Sequence, residues 1–359
     1  MLILSNEDAR VTLSMAQALT VLEQAYCDFA NGAARGTTSR LDTRVELDGK
    51  GRFFTFASME GTVPGGSWMA LRFNASHEAF STVNGLSKKT RLSSAPGERC
   101  LGLILLISMK DGQPQAVLHD GYLSALRVGA TSALAAKHLA RADAKIVGII
   151  GCGDQARAQL LGLMDVRALR RVRVYARNME RRAAFCDEMS TRLGIVVEPA
   201  ESAREAIQGA DLVVLATNSL DPVISTGWLS DGVHISAIVP GEVDSEIYQR
   251  SHVTIVNSKV RFGNEVGYLT HSERDWSRYP DLAELVTGRC RGRTDRKQIT
   301  FFMNNAGLGF QFAACAARVY ETARSRGLGH AIPTDWLMQP LHSFEPSRAE
   351  RNASEVQVR

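Results

Sequence analysis

The chain has 359 residues, 45% of them hydrophobic, which is enough to fill two ordinary cores. Its formal net charge of +4 comes from interspersed charges with no basic block, so the pattern speaks against a nucleic-acid partner and leaves only mild attraction of an anionic cofactor or substrate. Six cysteines stand without a CxxC pair or a histidine at metal-ligand spacing, which argues against a disulfide framework or a metal site and fits a reducing cytoplasm.

Residues 2–4 read as a short strand, and Ser5 with Asp8 as a helix start. The opening MLILSNEDAR carries too short an apolar run for a signal peptide. Leu19, Leu22, Tyr26 and Phe29 recur at helical spacing in a helix that begins near Ser14 and stops before Gly32. After a polar stretch, RGTTSRLDTR, strands are expected at 52–58, 67–73, 100–108 and 115–119, the last two joined by an Asp111-Gly112 turn. Residues 74–99 have no clear periodicity and read as a long loop. The longest apolar run, 101–107, is too short to cross a bilayer, so no membrane partner is expected. The first third is thus an α+β unit on a largely antiparallel sheet.

From Tyr122 a long alanine-rich helix, LSALRVGATSALAAKHLA, leads into KIVGIIGCGDQA, and strand and helix alternate from there. Strands are expected at 146–150, 171–176, 194–198, 211–216, 233–238, 253–256 and 299–303, and helices at 158–164, 177–192, 202–208, 281–286 and 308–325. The expected fold is α/β, a doubly wound parallel sheet of the Rossmann type. In it Gly151 permits a tight turn, Gly153 leaves bare backbone for a pyrophosphate, and Ala156 lets the next helix pack against the sheet. That helix would point unpaired N–H groups and a partial positive charge at the phosphates. The tail from 346 is polar and is expected to be disordered.

The segments DGQPQAVLHDGYLSALRVGATSALAAKHLA, GIIGCGDQARAQL, ADLVVLATNS and PDLAELVTGRCRGRTDRKQITFFMNNAGLGFQFAA, in that order, resemble the ornithine cyclodeaminase/mu-crystallin family. The resemblance implies a Rossmann domain at 127–304 and a substrate and dimerisation domain made from 1–126 and 305–345, with two subunits pairing through the latter. It also implies hydride transfer between a nicotinamide and the carbon of an α-imino or α-amino acid.

By the resemblance, Arg127 grips the substrate carboxylate, a task that suits a permanently charged fork. The competing reading is a helix-surface arginine with a solvated partner. Arg72 stands where the family usually has a lysine, on a strand whose alternation puts Trp68, Ala70 and Arg72 on one face; an edge-strand salt bridge is its alternative role. A further family arginine falls on Arg40 or Arg44. Pro240 falls on the position of a cyclodeaminase aspartate, so Glu242, or else Asp244, is the candidate acid; both also suit a helix N-terminus. Asn304 and Asn305 replace a lysine-serine pair beside the nicotinamide, and Asn305 is assigned to cofactor and substrate, with capping of the next helix as the alternative. His77, His119 and His271 read as isolated, and Cys152 as small rather than reactive. Dinucleotide contacts are assigned to Gly151, Gly153, Asp154, Gln155, Ala156, Arg177, Asn178, Thr217, Val239 and Asn305.

The strand that precedes the ribose contact ends Tyr175, Ala176, Arg177, Asn178, and the acid that would select NAD(H) is replaced by Ala176. NADP(H) is therefore expected in preference to NAD(H), with Arg177 at the 2′-phosphate. The expected function is an imine reductase or amino-acid dehydrogenase acting as a homodimer, without metal. A cyclodeaminase lyase and a non-catalytic NADPH or small-ligand binder are the alternatives.

Overall fold

The computed structural model describes residues 1–36, 41–83, 85–97, 99–259 and 275–339, arranged in two sheets. Arg40, His271 and the tail from 346 lie outside the described residues. The first sheet is mixed. Its order is His330–Ala331, Leu2–Leu4, Pro114–His119, Leu101–Ser108, Trp68–Val83, Arg52–Val63 and Arg35–Gly36, with Leu41–Glu46 also on Arg52–Val63 and Leu86–Leu92 on Trp68–Val83. All pairings are antiparallel except Leu2–Leu4 with Pro114–His119. Both chain ends thus contribute to one sheet.

Residues 74–99 are not a loop. Trp68–Val83 runs 16 residues and turns back into Leu86–Leu92. The strand escaped the alternation test because its buried positions are polar. Arg72, Asn74, Ser76 and Glu78 face inward, while Phe73, Ala75 and His77 lie half-buried on the other face. The edge-strand reading of Arg72 also falls, since its strand is flanked by Arg52–Val63 and Leu101–Ser108. Leu41–Glu46, inside the polar arginine-bearing stretch, is a further strand that periodicity did not show.

The inner face of this sheet is packed by Gly309–Ser325, whose first turn lies directly on the strand at Gly61. A Cβ on Gly61 would overlap the backbone of Gly309 and Phe310, and one on Gly309 would overlap Glu60, so only paired glycines allow the approach. Met15–Ala30, capped by Ser14, and Gly121–Leu139 complete the layer with Leu22, Tyr26, Leu126, Leu134 and Phe310.

The second sheet is parallel throughout, ordered Val196–Pro199, Arg171–Tyr175, Ile146–Ile150, Leu212–Leu215, His234–Ala237, Thr300–Met303, Val253–Val256. The four residues of each central strand are buried on both sides, as a sheet covered on both faces requires. A seam joins the two sheets. Lys88 bridges Ser219, the Leu220 amide donates to the Ser87 carbonyl at 2.9 Å, the Lys89 amide to the Asn218 carbonyl at 3.2 Å, and the Asn218 amide group to the Lys89 carbonyl at 3.0 Å.

Candidate active site

The ends of Ile146–Ile150, Arg171–Tyr175 and Leu212–Leu215 open into a cleft of about 1790 Å³ that continues to the inner edge of the mixed sheet. Gly151 turns there with φ +115, and a Cβ would run into the Ala216 carbonyl. Gly153 is different, because nothing lies within 4 Å of the Cβ it lacks. It caps Asp154–Val166 without any side-chain bond, so the amides of the first turn remain available to a ligand. Ala156 is fully buried beneath that turn. Arg157 fixes the turn by donating to the Cys152 carbonyl at 3.1 Å and to Glu188 at 2.6–3.0 Å.

Around this turn the residues assigned to the dinucleotide fall into two groups. Gly151, Gly153, Asp154, Gln155, Arg177, Asn178 and Thr217 all line the cleft. The Gln155 Oε1 atom is buried without a hydrogen bond, an acceptor left for a ligand. Asn178 also caps Met179–Leu193 by accepting from the Arg181 amide at 2.8 Å, so only its NH₂ remains to donate outward. Val239 is displaced from its assignment: Ile238 lines the cleft, and the Val239 amide goes instead to Glu242 at 3.0 Å. Arg181, four residues past Arg177, joins it on the cleft wall. The spacing of one helical turn was the signal for it.

Glu242 does not reach the cleft. It is fully buried and accepts from the Thr217 amide at 2.6 Å, the Thr217 hydroxyl at 2.7 Å, and the Ile238 and Val239 amides at 3.1 and 3.0 Å. Burial pushes its carboxyl up to about 7 against those bonds. The residue ties two cleft loops together from behind, so it has no lone pair directed at a substrate. Asp244, the other candidate acid, accepts from the Thr226 amide at 3.0 Å and from its hydroxyl. Asn305 is likewise committed, its amide spanning the main chain of Ser258 at 3.0 and 2.8 Å. Asn304 donates to the Val128 carbonyl at 3.3 Å and to Ser132 at 3.2 Å. Neither caps the next helix, whose N-cap is Leu308.

At the mixed-sheet end, Arg72 and Arg127 lie on the same ring, their guanidinium carbons 5.4 and 5.0 Å from the Phe312 centroid. Arg127 is 9% exposed and donates to Gln311 Oε1 at 3.2 Å; Gln311 is held in turn by the Tyr26 hydroxyl at 2.6 Å and Thr131 at 3.0 Å. It is a buried, positioned arginine and not a surface one. Arg72 lines the cleft and pairs with Asp120 at 2.6 and 2.7 Å. Arg44 sits farther along the inner face, 3.9 Å from Glu78 and over the Phe53 and Phe80 rings at 4.1 and 4.6 Å, away from the cleft-lining set. Sequence reasoning passed over Asp120, which reads as an ordinary helix start, and over His119, which lines the cleft while accepting from the Gly121 amide at 3.0 Å.

A parallel doubly wound sheet with an open glycine turn, faced by a second sheet built from both chain ends, defines a dinucleotide-binding protein of the Rossmann class. A sequence profile described as the ornithine cyclodeaminase/mu-crystallin family matches residues 2–327, and the chain belongs to that family. It is 33% identical over 241 residues, 64% of this chain and 74% of the relative, to a delta(1)-pyrroline-2-carboxylate reductase of Bacillus cereus. The structure of the Thermococcus litoralis delta(1)-pyrroline-2-carboxylate reductase, in complex with NADH and L-proline, superposes with a TM-score of 0.77 at 32% identity, covering 92% of this chain and 100% of that one. An archaeal alanine dehydrogenase dimer with bound NAD has the same TM-score at 28% identity, covering 93% and 99%. No described helix is long and apolar enough to cross a membrane.

Proposed function

We propose that the chain is an NAD(P)H-dependent oxidoreductase acting on the C–N bond of an α-imino or α-amino acid. The observation that carries this is the continuity of one cleft from the glycine turn at Gly151–Gly153 to the charged pair Arg72–Asp120. The dinucleotide fits the turn: Gly153 leaves open space for the pyrophosphate, the first-turn amides face it, and Gln155 Oε1 awaits a donor. A bound nicotinamide supplies or takes a hydride. The chain's own residues do the rest. Arg127, fixed by Gln311, receives the substrate carboxylate; Arg72 and Asp120 form the polar wall beside it; and Phe312 sets the spacing of the two arginines. In this reading 127–304 carries the dinucleotide and 1–126 with 305–345 the substrate.

Ala176 with Arg177 and Arg181 on the cleft wall favours NADP(H), because a 2′-phosphate there meets two guanidinium groups and no carboxylate. The outer face of the mixed sheet supports a homodimer, since Met69, Leu71, Phe73, Leu103, Leu105 and Val117 lie only half-buried together on it. The test is reduction of a panel of cyclic and linear α-imino acids, followed at the nicotinamide absorbance band. Proline and ammonia from L-ornithine with NAD would replace this reading with a cyclodeaminase. Tight NADPH binding with no oxidation by any imine would replace it with a non-catalytic binder. The withdrawal of Glu242 behind the wall, and Pro240 at the position of the cyclodeaminase aspartate, weigh against the cyclodeaminase.

A further inference from the structure

We propose that Asp120 receives the positively charged nitrogen of the substrate, with Arg72 holding its carboxylate in place; this rests on the imino-acid reading above. Asp120 precedes Gly121–Leu139 at the N-cap, where an aspartate ordinarily accepts from the helix amides. Here it makes no such bond. Other residues have taken over that work: Asn6 accepts from the Tyr122 amide at 2.7 Å and His119 from the Gly121 amide at 3.0 Å. The Asp120 side chain turns instead onto the inner face of the sheet, and both Arg72 contacts fall on one oxygen, Oδ2, at 2.6 and 2.7 Å. Its other oxygen, Oδ1, accepts no hydrogen bond from the described residues.

The neighbouring strand is built around that second oxygen. Gly102 accepts the Asp120 amide at 3.0 Å, and a Cβ on Gly102 would overlap Oδ1, so no larger residue leaves the carboxylate where it is. Two acids line the cleft among the described residues. Asp154 has a side chain 90% exposed and stands beside the glycine turn, at the phosphate end; Asp120, at the Arg72 end, has a side chain only 9% exposed. An acceptor-only group held in low dielectric beside the substrate wall suits a cationic partner.

The chemistry of imine reduction asks for such a group. A hydride from a reduced nicotinamide adds to the carbon of a protonated imine, the C=N π pair moves onto nitrogen, and a neutral amine results, so charge and protons balance with no further acid. A carboxylate at the nitrogen keeps the imine protonated and therefore electrophilic. In the reverse direction it holds the ammonium, which releases one proton to solvent before the neutral amine gives up its hydride. Arg72 contributes by holding Asp120 through Oδ2 alone, which leaves Oδ1 for the substrate nitrogen.

Paired ligands that exchange only that nitrogen for an oxygen test the assignment, measured by calorimetry on protein saturated with oxidised cofactor. L-Proline is set against tetrahydrofuran-2-carboxylate, and L-alanine against L-lactate. Wild type should bind the ammonium member of the better pair at least about tenfold tighter, and Asp120→Asn should weaken that member about 30-fold or more while changing the neutral one less than about threefold. Equal binding of both members by wild type overturns the proposal without recourse to any variant. Equal weakening of both in Asp120→Asn shows that Asp120 merely places Arg72, which sinks the assignment and leaves the imino-acid reading standing. Wild type that binds neither pair sinks that reading, and this proposal with it.

Discussion

The two ends of the cleft are built from different materials. At the dinucleotide end the functional surface is backbone: a left-handed glycine, a second glycine with empty space over it, and the bare amides of a helix start. At the mixed-sheet end it is side chain: Arg72 against Asp120 on the cleft wall, with Arg127 against Gln311 outside the cleft-lining set and both arginines over the Phe312 ring. Backbone sites are specified by a few adjacent small residues. Side-chain sites are specified by partners brought together from separate elements, so the two ends should break differently.

The sharpest contrast is expected between the two glycines. Gly151→Ala puts a methyl against the Ala216 carbonyl at φ +115, and should lower stability by several kcal/mol, about 3 or more, seen as a large drop in Tm. Gly153→Ala has open space, so stability should change by less than about 0.5 kcal/mol while dinucleotide affinity falls by roughly tenfold or more, because the methyl occupies the pyrophosphate approach. Similar Tm values for both variants would show that the turn is not as described.

Arg127→Ala comes next. Loss of a buried bidentate partner should lower kcat/KM by about 100-fold or more with dinucleotide Kd nearly unchanged. An equal loss of cofactor binding would mean that the helix carrying it, Gly121–Leu139, had been disturbed.

Glu242 probes the wall shared by both ends. Its folded carboxyl lies at about 7 against an ordinary 4.5, so its contribution to stability is complete below about pH 4.5 and is lost as pH rises through 7. The full span is on the order of 3 kcal/mol. Glu242→Gln should flatten the fall in urea midpoint between pH 5 and 8; an unchanged slope would show that Glu242 titrates normally.

The smallest effect is expected at the ribose. Arg177→Ala should weaken NADPH about tenfold and NADH hardly at all, by paired dissociation constants. Equal weakening of both would remove the 2′-phosphate assignment.

The difference in material also decides what was legible. Gly151, Gly153 and Ala156 stand within six residues, after an apolar strand, and their roles follow from size alone. Arg72 and Asp120 are 48 residues apart, and neither names the other. Asn305 and Glu242 have the right chemistry for a site, but, the Thr217 hydroxyl on Glu242 apart, their hydrogen-bond partners are main-chain groups, which leave no mark on composition. The strand at Trp68–Val83 was read only as far as Phe73 because an inward face of Asn74, Ser76 and Glu78 inverts the usual apolar alternation. Polar residues on a buried face thus hid the element that carries them.

The seam between Leu86–Leu92 and Asn218–Leu220 has a kinetic consequence. Four hydrogen bonds, one of them from the Ser87 amide to Asp221, cross from one sheet to the other at the rim of the cleft, each worth about 0.5–1.5 kcal/mol net. The two sheets therefore cannot swing apart as free bodies, and the rim must unzip before it can widen. The expected outcome is that the residence time of a bound dinucleotide follows local melting of this short strand rather than a hinge. Amide exchange at Lys89 and Leu220 should report that melting, with protection rising on cofactor binding at these two positions ahead of their neighbours on the same hairpin.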